Sequence, residues 1–473
     1  MSTLLETQES VRGTNWLRLL RHALAGRGGD PTKGPLVPAI VSLAVPMVLE
    51  MLMESLFAIV NIFFVSRLGA SAAAAIGLTE SLLAIVYTVA MGLSIGLMAV
   101  VARRIGEGNR EGASLAAFQG IALGVLVSAV MGVIGAIYAH DLLRLMGATD
   151  EIIEVGGTFA RIMLGGNAVI LLLFLMNAAF RGSADAAIAM RVLWIANGIN
   201  LVLDPCLIFG LGPFPELGVT GTAVATTIGR GVGVLLQLFV LFRGHARIQL
   251  AARHLRLDGA VMLRVLRLSG SGMLQIFIST ASWIGLVRVV SAFGDEALAG
   301  YTIAIRIVLF ALLPAWGLAN AAATMVGQNL GAQQPERAER AAWMAGHINL
   351  IVLGTVGVFF MIAGPWIVNW FGGEGATHAY AVDCLRIVSA GFFFYGYGMV
   401  LSNAFNGAGD TWTPTFLNFF CFWLLELPLA WLLAHSLEWG PAGVFTAVAV
   451  AFSTMAVAAG FVFRRGRWKR VIV

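Results

Sequence analysis

The 473-residue chain is poor in charge: only 12% of it is Asp, Glu, Lys or Arg, about half the usual share of a soluble domain. With 59% hydrophobic residues and a mean hydropathy of +0.87, this excludes an ordinary water-soluble fold. It has only three cysteines, Cys206, Cys384 and Cys421, all inside apolar runs and far apart. An odd count without close spacing excludes a disulfide framework and a thiolate metal cluster. No phosphate-binding P-loop, no HExxH and no GxSxG occurs, which removes ATP hydrolysis and the common intramembrane hydrolases as expectations. No cofactor is expected. The net charge of +5 does not indicate a nucleic-acid partner, because the basic residues sit in short patches between apolar runs. No cleavable signal is expected, since the first ~30 residues are polar and basic.

Apolar runs are what the chain has in abundance. A helix needs about 20 such residues to cross a hydrocarbon core of about 30 Å. Breaks at polar and Gly/Pro-rich clusters place twelve spans near 37–66, 76–101, 115–139, 157–180, 188–209, 219–242, 268–293, 298–326, 342–371, 384–405, 412–434 and 441–463. Most Lys and Arg fall at the termini and in alternate connections, whereas the opposite set holds only Arg67 and Arg144. The positive-inside rule therefore puts both termini in the cytoplasm. Ahead of the first span, Trp16, Leu17, Leu20 and Leu24 share one face of a short basic helix suited to a membrane surface.

The chain repeats itself. VSRLGASAAAA (65–75) aligns with VSAFGDEALAG (290–300) at a shift of 225 residues, and NAAFRGSAD (177–185) falls on SNAFNGAGD (402–410) at the same shift. The expected fold is thus an all-α membrane protein, with twelve transmembrane helices in two pseudo-symmetric six-helix lobes. The expected parts are a basic N-terminal segment (1–36), an N-lobe (37–242), a cytoplasmic linker (243–267), a C-lobe (268–463) and a basic tail (464–473). Such twin lobes describe a secondary transporter of a small molecule, and a monomer is expected because two lobes already enclose a cleft.

The first span carries Glu50, Glu54 and Asn61, four and seven residues apart and therefore on one helical face. Ionisable residues within a span are costly and mark ion pathways or partnered interior positions. Two carboxylates one turn apart repel, a property suited to carrying a proton. Pro46, a turn earlier, removes an N–H and can bend the helix. On the fifth span Asn197, Asn200 and Asp204 share a second face, followed by Pro205, and Thr226 follows on the sixth. Asn200, Asp204 and Thr226 offer hard oxygen ligands for Na+; they would equally hold a proton, or simply bridge helices. Met47, Met51, Met273, Phe277 and Trp283 suit the wall of a substrate cleft. Arg288 is expected there too, or paired with a carboxylate that the sequence does not name; Glu426 stands in the eleventh span.

These segments together resemble the multidrug and toxic compound extrusion (MATE) family over residues 36–465. The resemblance is carried by LAVPMVLE with NIFFVSRLG, NAAFRGSAD with NAFNGAGDTWTP, and NLVLDPCLIFG with LGVTGTAVATTIG. It implies rocker-switch export of organic cations in exchange for H+ or Na+ in the cytoplasmic membrane, and is closer to the DinF-like than to the NorM-like branch. In the DinF-like branch the cation site uses an Asn, an Asp and a Thr that match Asn200, Asp204 and Thr226. The first-helix Asp of that branch has no match, because Asn61 stands there; Glu54, backed by Glu50, is expected to supply the lost charge. Two other readings stay open: a flippase for a lipid-linked precursor, and a receptor or scaffold that does not transport.

Overall fold

The computed structural model describes residues 15–473 apart from Ser66, His245, Gly373 and the side chain of Ile62, so residues 1–14 of the expected N-terminal segment lie outside it. The described chain is helical, with no strand. This is the spanning solution that satisfies every backbone N–H and C=O without water. In order, the helices are α1 (Trp16–Leu24), α2 (Leu36–Val65), α3 (Ala70–Gly106), α4 (Arg110–Leu145), α5 (Asp150–Gly165), α6 (Ala168–Gly182), α7 (Ala186–Phe209) and α8 (Val219–Arg243). They continue with α9 (Gly259–Ser291), α10 (Asp295–Gly331), α11 (Pro335–Trp370), α12 (Gly375–Ala390), α13 (Phe392–Ala408), α14 (Trp412–Ser436) and α15 (Pro441–Arg464).

Ten of these are long and apolar enough to cross a membrane, and the pairs α5–α6 and α12–α13 bring the count to twelve if each is one bent span. The expected fourth and tenth spans are therefore broken helices, bent by 40° and 58°. At the first break the buried Asn167 side chain donates to the Leu164 carbonyl at 2.6 Å, replacing a helical bond that the bend releases. Large apolar side chains such as Leu126, Val130, Val133 and Ile137 of α4 face outward, as a lipid-facing surface does and a water-facing one rarely does. In α1, Leu17, Leu20 and Leu24 are likewise exposed.

The chain forms two compact units, unit 1 (Met1–Val48 with Ser271–Val473) and unit 2 (Leu49–Gly270). The lobe bounds expected from the repeat fall between the helices, at 243–267. The boundaries instead cut α2 just after Pro46 and α9 just after Gly270, and α9 already begins at Gly259. The first turns of each opening helix thus belong to the unit built from the other half of the sequence. In unit 1 this rests on Gly317, where a Cβ would lie 2.7 Å from the Met47 and Val48 backbone, so only glycine allows α10 to pack there.

Both units hold their terminal straps with specific contacts. In unit 2 the segment after α8 docks through Gln249 N–H to Ser114, Gln119 to the Arg256 carbonyl, and His254 to Glu111. In unit 1 the tail buries Trp468 completely, its ring stacked 4.4 Å from that of Phe463.

Candidate functional site

Unit 2 gathers most of the expected polar residues on α2, α7 and α8. Helix α8 can approach α7 because Gly221, Ala225, Gly229 and Gly233 form a stripe of small residues at four-residue spacing. A Cβ at Gly229 would meet the Ala196 carbonyl at 2.7 Å and Asn200 Cβ at 3.1 Å. This close approach brings Thr226 to Asn200. With the amide turned so that both neighbours are satisfied, Asn200 Nδ2 donates to Asp204 Oδ2 at 2.6 Å. Its Oδ1 accepts from Thr226 Oγ1 at 3.0 Å and from the Thr226 N–H at 3.2 Å. Asn200, Asp204 and Thr226 are 2%, 1% and 5% exposed. A buried carboxylate, an amide and a hydroxyl are therefore joined in one network, with Pro205 following inside an otherwise continuous α7.

The first-helix residues divide. Glu54 accepts from Asn197 Nδ2 at 3.5 Å, the outer limit of a hydrogen bond, and lies close enough to Arg230 for the two charges to interact. Arg230 itself donates to the Tyr87 hydroxyl at 3.1 Å. Asn61 joins none of these bonds; its Oδ1 is buried without a partner among the described residues. Glu50 is 1% exposed and makes an ion pair with Arg181, Nη2 to Oε1 at 2.9 Å. Arg181 falls just beyond the expected fourth span, which ends at 180. A signal was nevertheless present: the repeat partners of Glu50 and Arg181 are Gln275 and Asn406, so both charges are replaced by amides together.

The residues expected to wall a cleft differ in burial. Met47 is fully buried, on the turn that packs against Gly317. Met51 and Met273 are half-buried, and Phe277 and Arg288 are exposed. Trp283 lines an apolar cleft in unit 1 with Phe392, Tyr395, Val448 and Phe452. No carboxylate pairs with Arg288 among the described residues. Arg288 occupies the last turn of α9, where a guanidinium can stay solvated. Glu426, at the level of Ser282, accepts or shares a hydrogen bond with that hydroxyl at 2.8 Å.

Among the described residues no group of three or more His, Cys, Asp or Glu side chains could hold a metal ion. The Asn200–Asp204–Thr226 set is different in kind, one carboxylate among neutral oxygens, a donor chemistry suited to a monovalent cation or a proton.

The chain has clear relatives. A "Probable multidrug resistance protein YoeA" of Bacillus subtilis is 26% identical over 86% of this chain and 89% of its own length. A protein of Shewanella oneidensis described as "FAD transporter" is 24% identical over 84% and 88%. A solved structure described as the outward-facing conformation of a multidrug resistance MATE family transporter superposes with a TM-score of 0.86 at 28% identity, covering 96% of this chain and 98% of that one. The family model MatE matches twice, over residues 46–206 and 272–432, nearly the register of the internal repeat. The two matches span well over half the chain, which therefore belongs to the MatE family of multi-pass membrane transporters and is not an enzyme.

Proposed function

We propose that the chain is a cation-coupled antiporter of the cytoplasmic membrane, with both termini in the cytoplasm. It exports amphipathic organic cations by rocker-switch alternating access against an inward flow of H+ or Na+. The observation that carries this reading is the buried Asn200–Asp204–Thr226 network, one helix turn beyond the Glu54–Asn197 contact. Coupling requires a site whose affinity differs between two conformations, and a buried carboxylate held by turnable amide and hydroxyl groups can change its affinity with small helix movements. Glu54 takes the place of the first-helix acid that Asn61 lacks, balanced by Arg230, and Glu50 stands behind it as the partner of Arg181.

The test is efflux of a fluorescent organic cation from proteoliposomes under an imposed pH gradient or Na+ gradient. The parent should export under one of them, and Asp204→Asn and Glu54→Gln should fall to background while remaining folded. Normal coupling in Glu54→Gln would remove that residue from the mechanism. Absence of efflux under both gradients would favour flipping of a lipid-linked precursor. Because one relative is described as an FAD transporter, a flavin nucleotide belongs in the same assay as an anionic substrate.

A further inference from the structure

Unit 2 holds a cation whose surroundings use it only in part. Arg230 lies about halfway along α8 and is half-buried. An arginine within a span is costly, and it marks a ligand path or a partnered interior position. A guanidinium has five N–H donors. Among the described residues it makes one hydrogen bond, from Nη1 to the Tyr87 hydroxyl of α3 at 3.1 Å. That hydroxyl accepts, so its own O–H is left to donate, and it donates to none of the described residues. The guanidinium stands 5.8 Å from the centre of the Tyr87 ring. Phe174 of α6 meets the same ring edge-on at 5.9 Å, which fixes its direction.

The negative charge that answers Arg230 is Glu54 of α2, yet no carboxylate closes an ion pair with Arg230 among the described residues. Arg181 of the same unit differs, being locked to Glu50 at 2.9 Å. The fork of Arg230 is therefore balanced from a distance and remains available. Such a fork matches the two oxygens of a carboxylate or phosphate group. The internal repeat gives an independent sign that a ligand fits at this place. Counted from the turn glycines Gly218 and Gly440, Arg230 corresponds to Phe452, and at the shift of 225 residues Tyr87 corresponds to Leu312. Phe452 and Leu312 both line the apolar cleft of unit 1. One position in the helical plan thus lines a cleft with hydrocarbon in one unit and carries N–H and O–H donors in the other.

We propose that Arg230 and Tyr87 form an anion subsite in unit 2, which takes the carboxylate or phosphate group of an organic anion whose apolar body lies against Tyr87 and Phe174. Arg230 supplies the charge and the fork, Tyr87 supplies its O–H, and Glu54 competes with the ligand for the guanidinium. The subsite goes beyond the organic-cation reading above, because it admits a substrate that carries a negative group, alone or beside a positive one.

Equilibrium binding to the purified full-length protein in phosphatidylcholine nanodiscs tests the subsite, with naphthyl phosphate and naphthoate as the ligands. The parent should bind both. Arg230→Gln should weaken binding about tenfold or more, since hydrogen bonds to a charged group are lost, and Tyr87→Phe should weaken it less. Arg230→Lys keeps the charge without the fork and should fall between the parent and Arg230→Gln. Glu54→Gln should bind both ligands more tightly, because the competing carboxylate is gone. Parent-like affinity in Arg230→Lys and Tyr87→Phe would overturn the proposal even where Arg230→Gln does not fold, and so would a parent that binds neither ligand. Displacement of both ligands by an equal concentration of inorganic phosphate would overturn the part played by the apolar body. Loss of binding in phosphatidylglycerol nanodiscs, dependent on Arg230, would overturn the substrate by giving the site to a lipid headgroup. Binding is read without a gradient, so its outcome is separate from that of the efflux assay above.

Discussion

The two units repeat one helical plan with different chemistry. Where unit 2 places the ion pair Glu50–Arg181, unit 1 has Gln275 and Asn406, buried amides at the same repeat positions. Counted from the matching turn glycines Gly218 and Gly440, which share the same left-handed backbone, Thr226 corresponds to Val448 and Gly229 to Ala451. Val448 lines the apolar cleft, whereas Thr226 belongs to the polar network. The same helical plan therefore accommodates neutral residues at these positions, so it does not itself require the charges. Buried ion pairs seldom stabilise more than a well-packed neutral pair, which agrees with that reading.

The largest way to break the contrast is to remove half of the ion pair. Glu50→Gln should lower stability by about 3 kcal/mol, because it breaks the ion pair between fully buried Glu50 and partly buried Arg181. Adding Arg181→Asn converts the pair to its unit 1 counterpart and should restore most of that loss in thermal melts of the purified protein. Equal stability of the single and double variants would show that the two charges are not one unit.

A smaller effect is expected from Gly229→Ala, which installs the residue found in unit 1. The new methyl meets the Ala196 carbonyl at 2.7 Å, so α8 must move away from α7 at a cost of about 1–3 kcal/mol. Gradient-driven efflux should drop with it as Thr226 separates from Asn200, and unchanged efflux would show that the network tolerates a wider helix spacing.

The smallest effect concerns the straps. Glu111 is held below the usual carboxylate range, chiefly by its hydrogen bond with His254, with Arg253 adding to it. A carboxyl whose folded pKa is lowered contributes stability that is present above its unfolded pKa and is lost as pH falls through the folded value. The unit 2 strap around residues 246–258 should therefore become more sensitive to proteolysis as pH drops through the acidic carboxylate range. Glu111→Gln should be equally sensitive at neutral pH. The unit 1 tail, anchored by the apolar Trp468, should show no such acid step, and a matching step there would remove the distinction.

Part of the candidate site is legible in the sequence. The spacing of Asn200 and Asp204 put them on one face of α7, and Thr226 stood on the next helix; local periodicity is enough for that. Arg181 was not legible as Glu50's partner because the two lie 131 residues apart, and only the joint loss of both charges in the repeat hinted at it. The breaks at Gly166–Asn167 and Gly391 were hidden inside runs of ordinary hydropathy, which reports transfer into lipid and not helix direction. The sequence asked for a carboxylate beside Arg288 without naming one; Arg288 lies exposed in the last turn of α9, and Glu426 meets the Ser282 hydroxyl.

By itself the sequence determined that the chain is helical, spans a membrane many times, repeats itself and carries acids where lipid would reject them. These properties follow from composition and from short-range periodicity. Tertiary structure alone decided which acid meets which base, which helix turns belong to which compact unit, and which buried carboxyl has a single hydroxyl for company. Those outcomes depend on contacts between residues more than a hundred positions apart, such as Glu50 with Arg181 and Ser282 with Glu426.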